Sequence, residues 1–271
     1  MGKKWKNAPV MYTVAQVRFN QILAMESYVQ AIQQELRGIG FPDFRQDIVN
    51  AVSISIGQSN STSPILQPVN RFLFGNLEKT SGFTLETNAL SFQLTDYDVF
   101  ETFLDTFVKV LAIVHKYVNL SFIDRIGVRY LDAVLPKPET NLTDYLVPEV
   151  LGMTYKLLQF SDPRKLIHSY TETFSENKAS DSKLIARTII QNGKLNLPPE
   201  IAQTAYAVND KFLSYVGCHA IIDTDGYIDE IRVAFDLEMV RQKLDKLHED
   251  IAESFKKTAT DFALKIWEEG E

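Results

Sequence analysis

The chain has 271 residues, 45% of them hydrophobic and 11% aromatic, with a single cysteine and a formal net charge of −7. That charge opposes non-specific attraction to a phosphate backbone, and the lone Cys218 offers no disulfide framework, which fits a reducing compartment. No stretch approaches the about 18 apolar residues that a membrane span requires, so no transmembrane helix is expected.

The start, Met1-Gly2-Lys3-Lys4-Trp5-Lys6-Asn7, carries the positive charge of a signal peptide without its apolar core or cleavage site. A cytoplasmic protein is expected. After Pro9, Val10 to Phe19 alternates as a strand, with Met11, Thr13, Ala15, Val17 and Phe19 on one side and Val10, Tyr12, Val14, Gln16 and Arg18 on the other. A helix is predicted over Met25 to Ile39, with Tyr28 or Val29, Ile32, Leu36 and Ile39 at helical spacing and Gly40 placed to end it in the left-handed region. Val49 to Ile56 reads as a half-buried strand and Gln58 to Pro68 as a loop. Arg71 to Gly75, Gly82 to Thr87 and Leu90 to Leu94 read as an antiparallel meander. Phe100, Phe103, Leu104, Phe107, Leu111, Val114 and Val118 then mark a helix, with Thr95-Asp96 as its expected cap.

The order restarts at Asp124 to Leu135, a strand ended by Pro136-Lys137-Pro138. Thr140-Asn141 caps a short helical stretch near Leu142 to Leu151, and strands are predicted at Tyr155 to Phe160, Ile167 to Phe174 and Lys183 to Gln191. Ile201 to Tyr215 is ambiguous, with helix as one option. Gly217 to Asp223 and Tyr227 to Phe235 read as a hairpin across Asp225-Gly226. A terminal helix capped by Asp236 runs from Leu237 to Trp267, roughly 45 Å at 1.5 Å per residue. Its narrow apolar stripe is Leu237, Val240, Leu244, Leu247, Ile251, Phe255, Phe262 and Ile266.

Val17-Arg18-Phe19 and Val128-Arg129-Tyr130 thus each open the same succession of strand, helix, antiparallel strands and long helix. The expected fold class is α+β, with two pseudo-repeated halves at residues 1–120 and 121–271 and helices packed on one side of antiparallel sheet. The halves form either two units or one continuous domain. The succession resembles the half-unit of TATA-binding-protein-like folds, a resemblance of architecture that carries no function.

Ala8-Pro9-Val10 through Val17-Arg18-Phe19, Gly40-Phe41-Pro42, Arg129-Tyr130, and the ending Leu247-His248 through Phe255, Thr260-Asp261 and Trp267 together suggest a family. Over most of its length the chain resembles a sporadically distributed family of uncharacterised bacterial proteins. That resemblance implies no activity and no catalytic residues. The patchy distribution resembles that of mobile or defence-associated genes.

Four histidines, His115, His168, His219 and His248, are too dispersed for a metal-spacing signature, and a satisfied helix histidine is the expected role of His115 and His248. Cys218 and His219, adjacent on a strand, point to opposite faces and do not form a nucleophile and base pair. Asp223-Thr224-Asp225-Gly226 with Asp229-Glu230 lacks a calcium-loop spacing and is expected to be a turn. No phosphate loop, nucleophile elbow or zincin motif occurs, so neither a cofactor nor a metal is expected.

Arg18, Arg71, Arg129 and Arg187 all fall on predicted strands, with Gln16, Glu86 and Gln93 nearby. On one sheet face they would offer guanidinium forks to carboxylate or phosphate, whereas arginines alternating with core residues more often occupy a solvated sheet face or pair with Asp and Glu. The function expected is therefore a non-enzymatic binding or assembly protein that recognises a protein partner, or a second copy of itself, through an open sheet face or the terminal helix. The alternatives are a nucleic-acid or nucleotide-binding module using Arg18, Arg71, Arg129, Arg187 and Gln16, disfavoured by the net charge, and an enzyme whose site is assembled from distant residues.

Overall fold

A computed structural model of the chain describes residues 5–53, 65–159, 166–195, 198 and 206–270. The first part runs β1 (Val10–Phe19), α1 (Met25–Gly38), β2 (Asp43–Ser53), β3 (Ile65–Gly75), β4 (Ser81–Leu85), β5 (Ala89–Leu94) and α2 (Phe100–Val118). The second runs β6 (Phe122–Val134), α3 (Leu142–Tyr145), α4 (Pro148–Leu151), α5 (Met153–Gln159), β7 (His168–Asn177), β8 (Ser182–Lys194), α6 (Asp210–Leu213), β9 (Val216–Ile228), β10 (Val233–Ala234), α7 (Leu237–Thr258) and α8 (Asp261–Glu269).

All ten strands join one sheet in the order β2-β3-β4-β5-β1-β6-β9-β8-β7, with β10 added beside β6, and every pairing is antiparallel. β1 and β6 pair at the centre. From each of them the chain passes to its own edge of the sheet and returns strand by strand, ending in α2 or α7. The longer helices cover one side, as the α+β reading requires. Ala15, Val17, Phe19, Ile126 and Val128 meet Met25, Ile32 and Leu36 of α1, the apolar stripe of α2, and Val240, Leu244, Leu247 and Ile251 of α7 in one core. Phe83, Phe92 and Phe103 stack through it at 4.3 and 4.9 Å between ring centres. Burying each such ring contributes about 1.5–3 kcal/mol. The opposite face is partly crossed by the segment carrying α6, where Val208 and Phe212 pack on Tyr12, Leu131, Ala133 and Ile221.

Several expectations hold. Gly40, at φ +102°, ends the turn after α1, and Asp236 caps α7 by accepting from the Met239 backbone N–H at 2.8 Å. Asn141 and Asp144 form a reciprocal capping box on α3.

Others are corrected. A bulge between Val10 and Tyr12 puts Met11 in the cluster with Tyr12 and Leu131 instead of with Ala15 and Val17. β3 begins at Ile65, inside the predicted loop, because β2 supplies a partner along its whole length. Pro68 is tolerated there since β4 reaches only Phe72 to Gly75 on its other side. Residues 54–64 of the predicted strand and loop lie outside the described residues. Thr95 does not cap α2; its hydroxyl donates to the carbonyls of Thr80 and Ala207, and Val99 is the N-cap. Tyr155 to Gln159 is helix and not strand, with Tyr155 and Leu158, three apart, facing one cluster. Phe160 lies outside the described residues, as do 201–205 of the ambiguous Ile201 to Tyr215 segment, whose described part contains the single turn α6.

The hairpin across Asp225-Gly226 is the largest correction. β9 runs unbroken through both residues because β6 and β8 pair with it on either side: Arg129 and Ile185 flank Asp225, and Val128 and Leu184 flank Gly226. Two neighbouring ladders outweigh a local turn preference. Gly226 instead gives α7 room, since a Cβ there would lie 3.1 Å from Cδ1 of Ile251. The terminal helix is also interrupted, at Ala259, which bridges to Leu146; Thr260 then caps α8 and donates from its hydroxyl to the Asp144 carbonyl at 2.5 Å.

Candidate functional site

The antiparallel registers place Gln16, Arg18, Arg71, Arg129 and Arg187 on the sheet face opposite the long helices. Three of the four guanidinium groups meet carboxylates there. Arg71 Nε donates to Glu86 Oε1 at 2.5 Å. Arg129 forks onto Asp223, Nε to Oδ1 at 2.6 Å and Nη2 to Oδ2 at 2.7 Å, and Arg187 Nη1 adds a third bond to Oδ2 at 3.2 Å while its Nε donates to Glu172 at 2.7 Å. Asp223 is 1% exposed, so this cluster is an internal electrostatic tie across β6, β9 and β8.

Arg18 is exposed and donates to Gln16 Oε1 at 3.2 Å, and Gln16 donates onward to Ser91. Beside it in register lies Arg125, whose guanidinium stands 4.7 Å over the ring of Tyr227. Burial lowers the Arg125 pKa, with Asp225 opposing the shift. The hollow containing these two arginines also contains Asp124, Asp225, Asp229 and Glu230. A phosphate entering it would meet more carboxylates than guanidinium groups.

A different site lies on the helix side. Between the segment Trp5–Val10, the start of α2, β6 and α7 is a cleft of about 340 Å³. The amide groups of Lys6 and Asn7, bonded to the carbonyls of Glu268 and Trp267, hold the N-terminal wall against α8. Asp245, His248, Ala252 and Lys256 come to the cleft from α7 at helical spacing, Val99, Phe100 and Glu101 from the beginning of α2, and Tyr130 and Asp132 from alternate positions of β6.

Inside it a chain of polar groups forms. The Tyr97 and Tyr130 hydroxyls are 3.4 Å apart, and Tyr130 is 3.1 Å from Nδ1 of His248, whose ring stacks on Phe100 at 3.9 Å. Burial lowers His248 to about 4, against the opposing effect of Asp245, Glu101 and Glu249, so its ring is neutral at pH 7. Burial likewise raises both tyrosines well above the ordinary phenol range. The carboxyl of Asp132, a residue 4% exposed, makes no side-chain hydrogen bond or ion pair among the described residues, and burial, with the Asp223 carboxylate adding to it, pushes it up to about 8. Convergent titratable groups with displaced pKa values in a concave, largely apolar pocket are the physical signature of a binding or reaction site.

The sequence pattern singled out none of these as a group. One signal was present: Ile126, Val128, Tyr130, Asp132 and Val134 alternate on one strand face, and a carboxyl among core residues demands an explanation. Tyr97 and His248 carried no comparable signal, since only the packing of α7 on α2 brings them to Tyr130. The other residues weighed from sequence take structural roles. His115 stacks on Phe235 at 4.1 Å, and His219 is buried with Nδ1 3.0 Å from the Gly217 carbonyl. Cys218 points to the opposite side of β9, into the cluster with Val134 and Trp267, where burial raises its thiol pKa. Among the described residues no group of His, Cys, Asp and Glu is arranged to hold a metal ion, and no helix is long and apolar enough to cross a membrane.

No family model matches the chain, and no curated protein matches it.

Proposed function

We propose that this is a binding protein that takes a small, largely apolar ligand into the cleft between β6, the start of α2 and α7. The observation that carries the reading is Asp132, a carboxyl buried in that cleft without a partner among the described residues. Burying an unpaired carboxyl costs several kcal/mol, and a fold has no reason to bear that cost for packing alone. The binding reading requires no reaction step, and His248, neutral and held between Phe100 and Tyr130, is a fixed wall in it.

Recognition of a protein partner is a second reading. Its specific support is edge strand β7, where Tyr170 and Phe174 are exposed, since the stripe of the terminal helix, apart from the exposed Phe262, packs into the chain's own core. Nucleic-acid or nucleotide binding gains less support, because Arg71, Arg129 and Arg187 are already paired with carboxylates.

A thermal-shift screen of small molecules on the parent chain and on Ala252→Phe tests the cleft reading, with circular dichroism confirming that the variant folds. Compounds that raise the parent's melting temperature are expected to lose their effect when Phe fills the cleft. Hits that stabilise both proteins equally, or none from a broad library, would overturn it.

A further inference from the structure

We infer that the ligand of this cleft is an organic cation, an ammonium group on an aromatic or aliphatic body, with its charge seated against the carboxyl of Asp132; this rests on the cleft being a binding site, as proposed above. The chain shows how it treats a buried carboxylate that belongs to the scaffold. Asp223, one residue away in register and on the other face of the sheet, receives a fork from Arg129 and a further bond from Arg187. Asp132 receives nothing comparable among the described residues. The missing counter-charge is what a ligand would bring.

The remaining groups of the cleft favour the same sign. Asp98 and Glu101 flank the start of α2, where acidic residues complement the helix dipole and are accounted for without a ligand. Asp132 stands on the sheet and has no such explanation. Asp245 adds a further carboxylate from α7, Lys256 is the opposing cation among the described lining residues, and His248 contributes no charge at neutral pH. An anion would therefore enter a field of its own sign. The walls are aromatic, with Trp5, Tyr97, Phe100, Tyr130 and Phe255 among them, and an ammonium group is attracted to such ring faces.

Binding has a proton balance. At pH 7, before a cation binds, the Asp132 carboxyl is mostly protonated, since burial has raised it to about 8. A bound ammonium favours the ionised form, so the acidic proton leaves to solvent and an ammonium–carboxylate pair forms without covalent change. The titratable and charged groups around Asp132 are Tyr97 and Asp98 before α2, Glu101 on α2, Tyr130 beside it on β6, Asp245, His248 and Lys256 on α7, and Asp223 behind the sheet.

Isothermal titration calorimetry with three matched probes provides the test: phenethylammonium, 2-phenylethanol and 3-phenylpropionate, at pH 7 in two buffers of different ionisation enthalpy. The amine is expected to bind at least about tenfold more tightly than the alcohol or the carboxylate. It is also expected to release a substantial fraction of one proton, up to about one per ligand. Asp132→Asn should abolish both the preference and the proton release. The proton count on the parent protein keeps the inference testable should that variant fold poorly. A carboxylate that binds more tightly than the amine, or an amine preference that survives in Asp132→Asn, overturns the organic-cation assignment and leaves the cleft reading standing. Binding of every probe unchanged by Ala252→Phe, or no binding at all, overturns the cleft reading itself.

Discussion

The hydroxyl of Tyr130 lies 3.1 Å from Nδ1 of His248 and 3.4 Å from the hydroxyl of Tyr97, so one phenol on the central sheet links the loop before α2 to the middle of α7. Residues more than a hundred positions apart are joined through a single group. Removing that hydroxyl should cost about 1–2 kcal/mol, because the buried nitrogen of His248 loses its partner. Tyr97→Phe alone is expected to cost less. Urea unfolding of Tyr97→Phe, Tyr130→Phe and the double variant checks this, and the three groups acting as one network requires a coupling of at least about 0.5 kcal/mol. Strict additivity would contradict it.

The pH dependence of stability follows from Asp132 and His248. Asp132 moves from an ordinary 3.8 to about 8 on folding, so the folded chain holds its proton more tightly and stability falls as pH rises between those values. His248 moves from 6.5 to about 4, so the unfolded chain holds that proton more tightly and stability rises over its window. Each slope is about 1.4 kcal/mol per pH unit at most. They oppose each other from about pH 4 to 6.5, leaving a net decline from there to about pH 8. Asp132→Asn should remove the decline and exceed the parent's stability at pH 8. Urea midpoints at pH 5, 6.5 and 8 decide it, and a decline retained in the variant would sink the assignment.

Asp223 is the shared acceptor of Arg129 and Arg187, and it is almost fully buried. Asp223→Ala is expected to destabilise by about 3–5 kcal/mol, since Arg129 loses the carboxylate it forks onto and Arg187 keeps only Glu172 of its two acceptors. Replacing Asp223 by Leu and Arg129 by Met together should cost less than Asp223→Ala, because the desolvated charge and its partner leave at once. Guanidinium chloride unfolding of both variants gives the comparison. A double variant at least as unstable as the single would show that the tie contributes more than charge compensation.

Gly226 sits under Ile251, and its Cβ position falls 3.1 and 3.2 Å from two atoms of that side chain. Gly226→Ala should cost about 1–3 kcal/mol through overpacking. Shortening the neighbour with Ile251→Val in the same chain is expected to recover part of the loss, which an isolated turn glycine would not show. Melting temperatures of the two single variants and the double variant measure the recovery.

Local patterns carried much of the architecture. The apolar spacing of α2 and the alternation of β1 and β6 follow from periods of 3.6 and 2 that any burial of one face imposes. The same patterns failed where a neighbour outvoted the segment. Asp225-Gly226 has the composition of a turn, yet it lies in the middle of β9 because β6 and β8 pair along both of its sides. Tyr155 to Gln159 alternated well enough for a strand and became α5, and Thr258-Ala259-Thr260 broke a helix whose apolar stripe ran on without interruption. The arginines were legible as a set on strands, but their common face and their partners were not. Glu172, Asp223 and Glu86 reach them only through strand order.

By itself the sequence determined an α+β chain with helices on one side of antiparallel sheet, because hydrophobic periodicity and caps act over a few neighbouring residues and need no knowledge of the rest. Only the tertiary structure decided that Asp132, Tyr97, Tyr130 and His248 share a cleft while the strand arginines are neutralised on the opposite face. A side chain's charge environment depends on groups distant in sequence and adjacent in space, and those neighbours are fixed by strand order and helix packing.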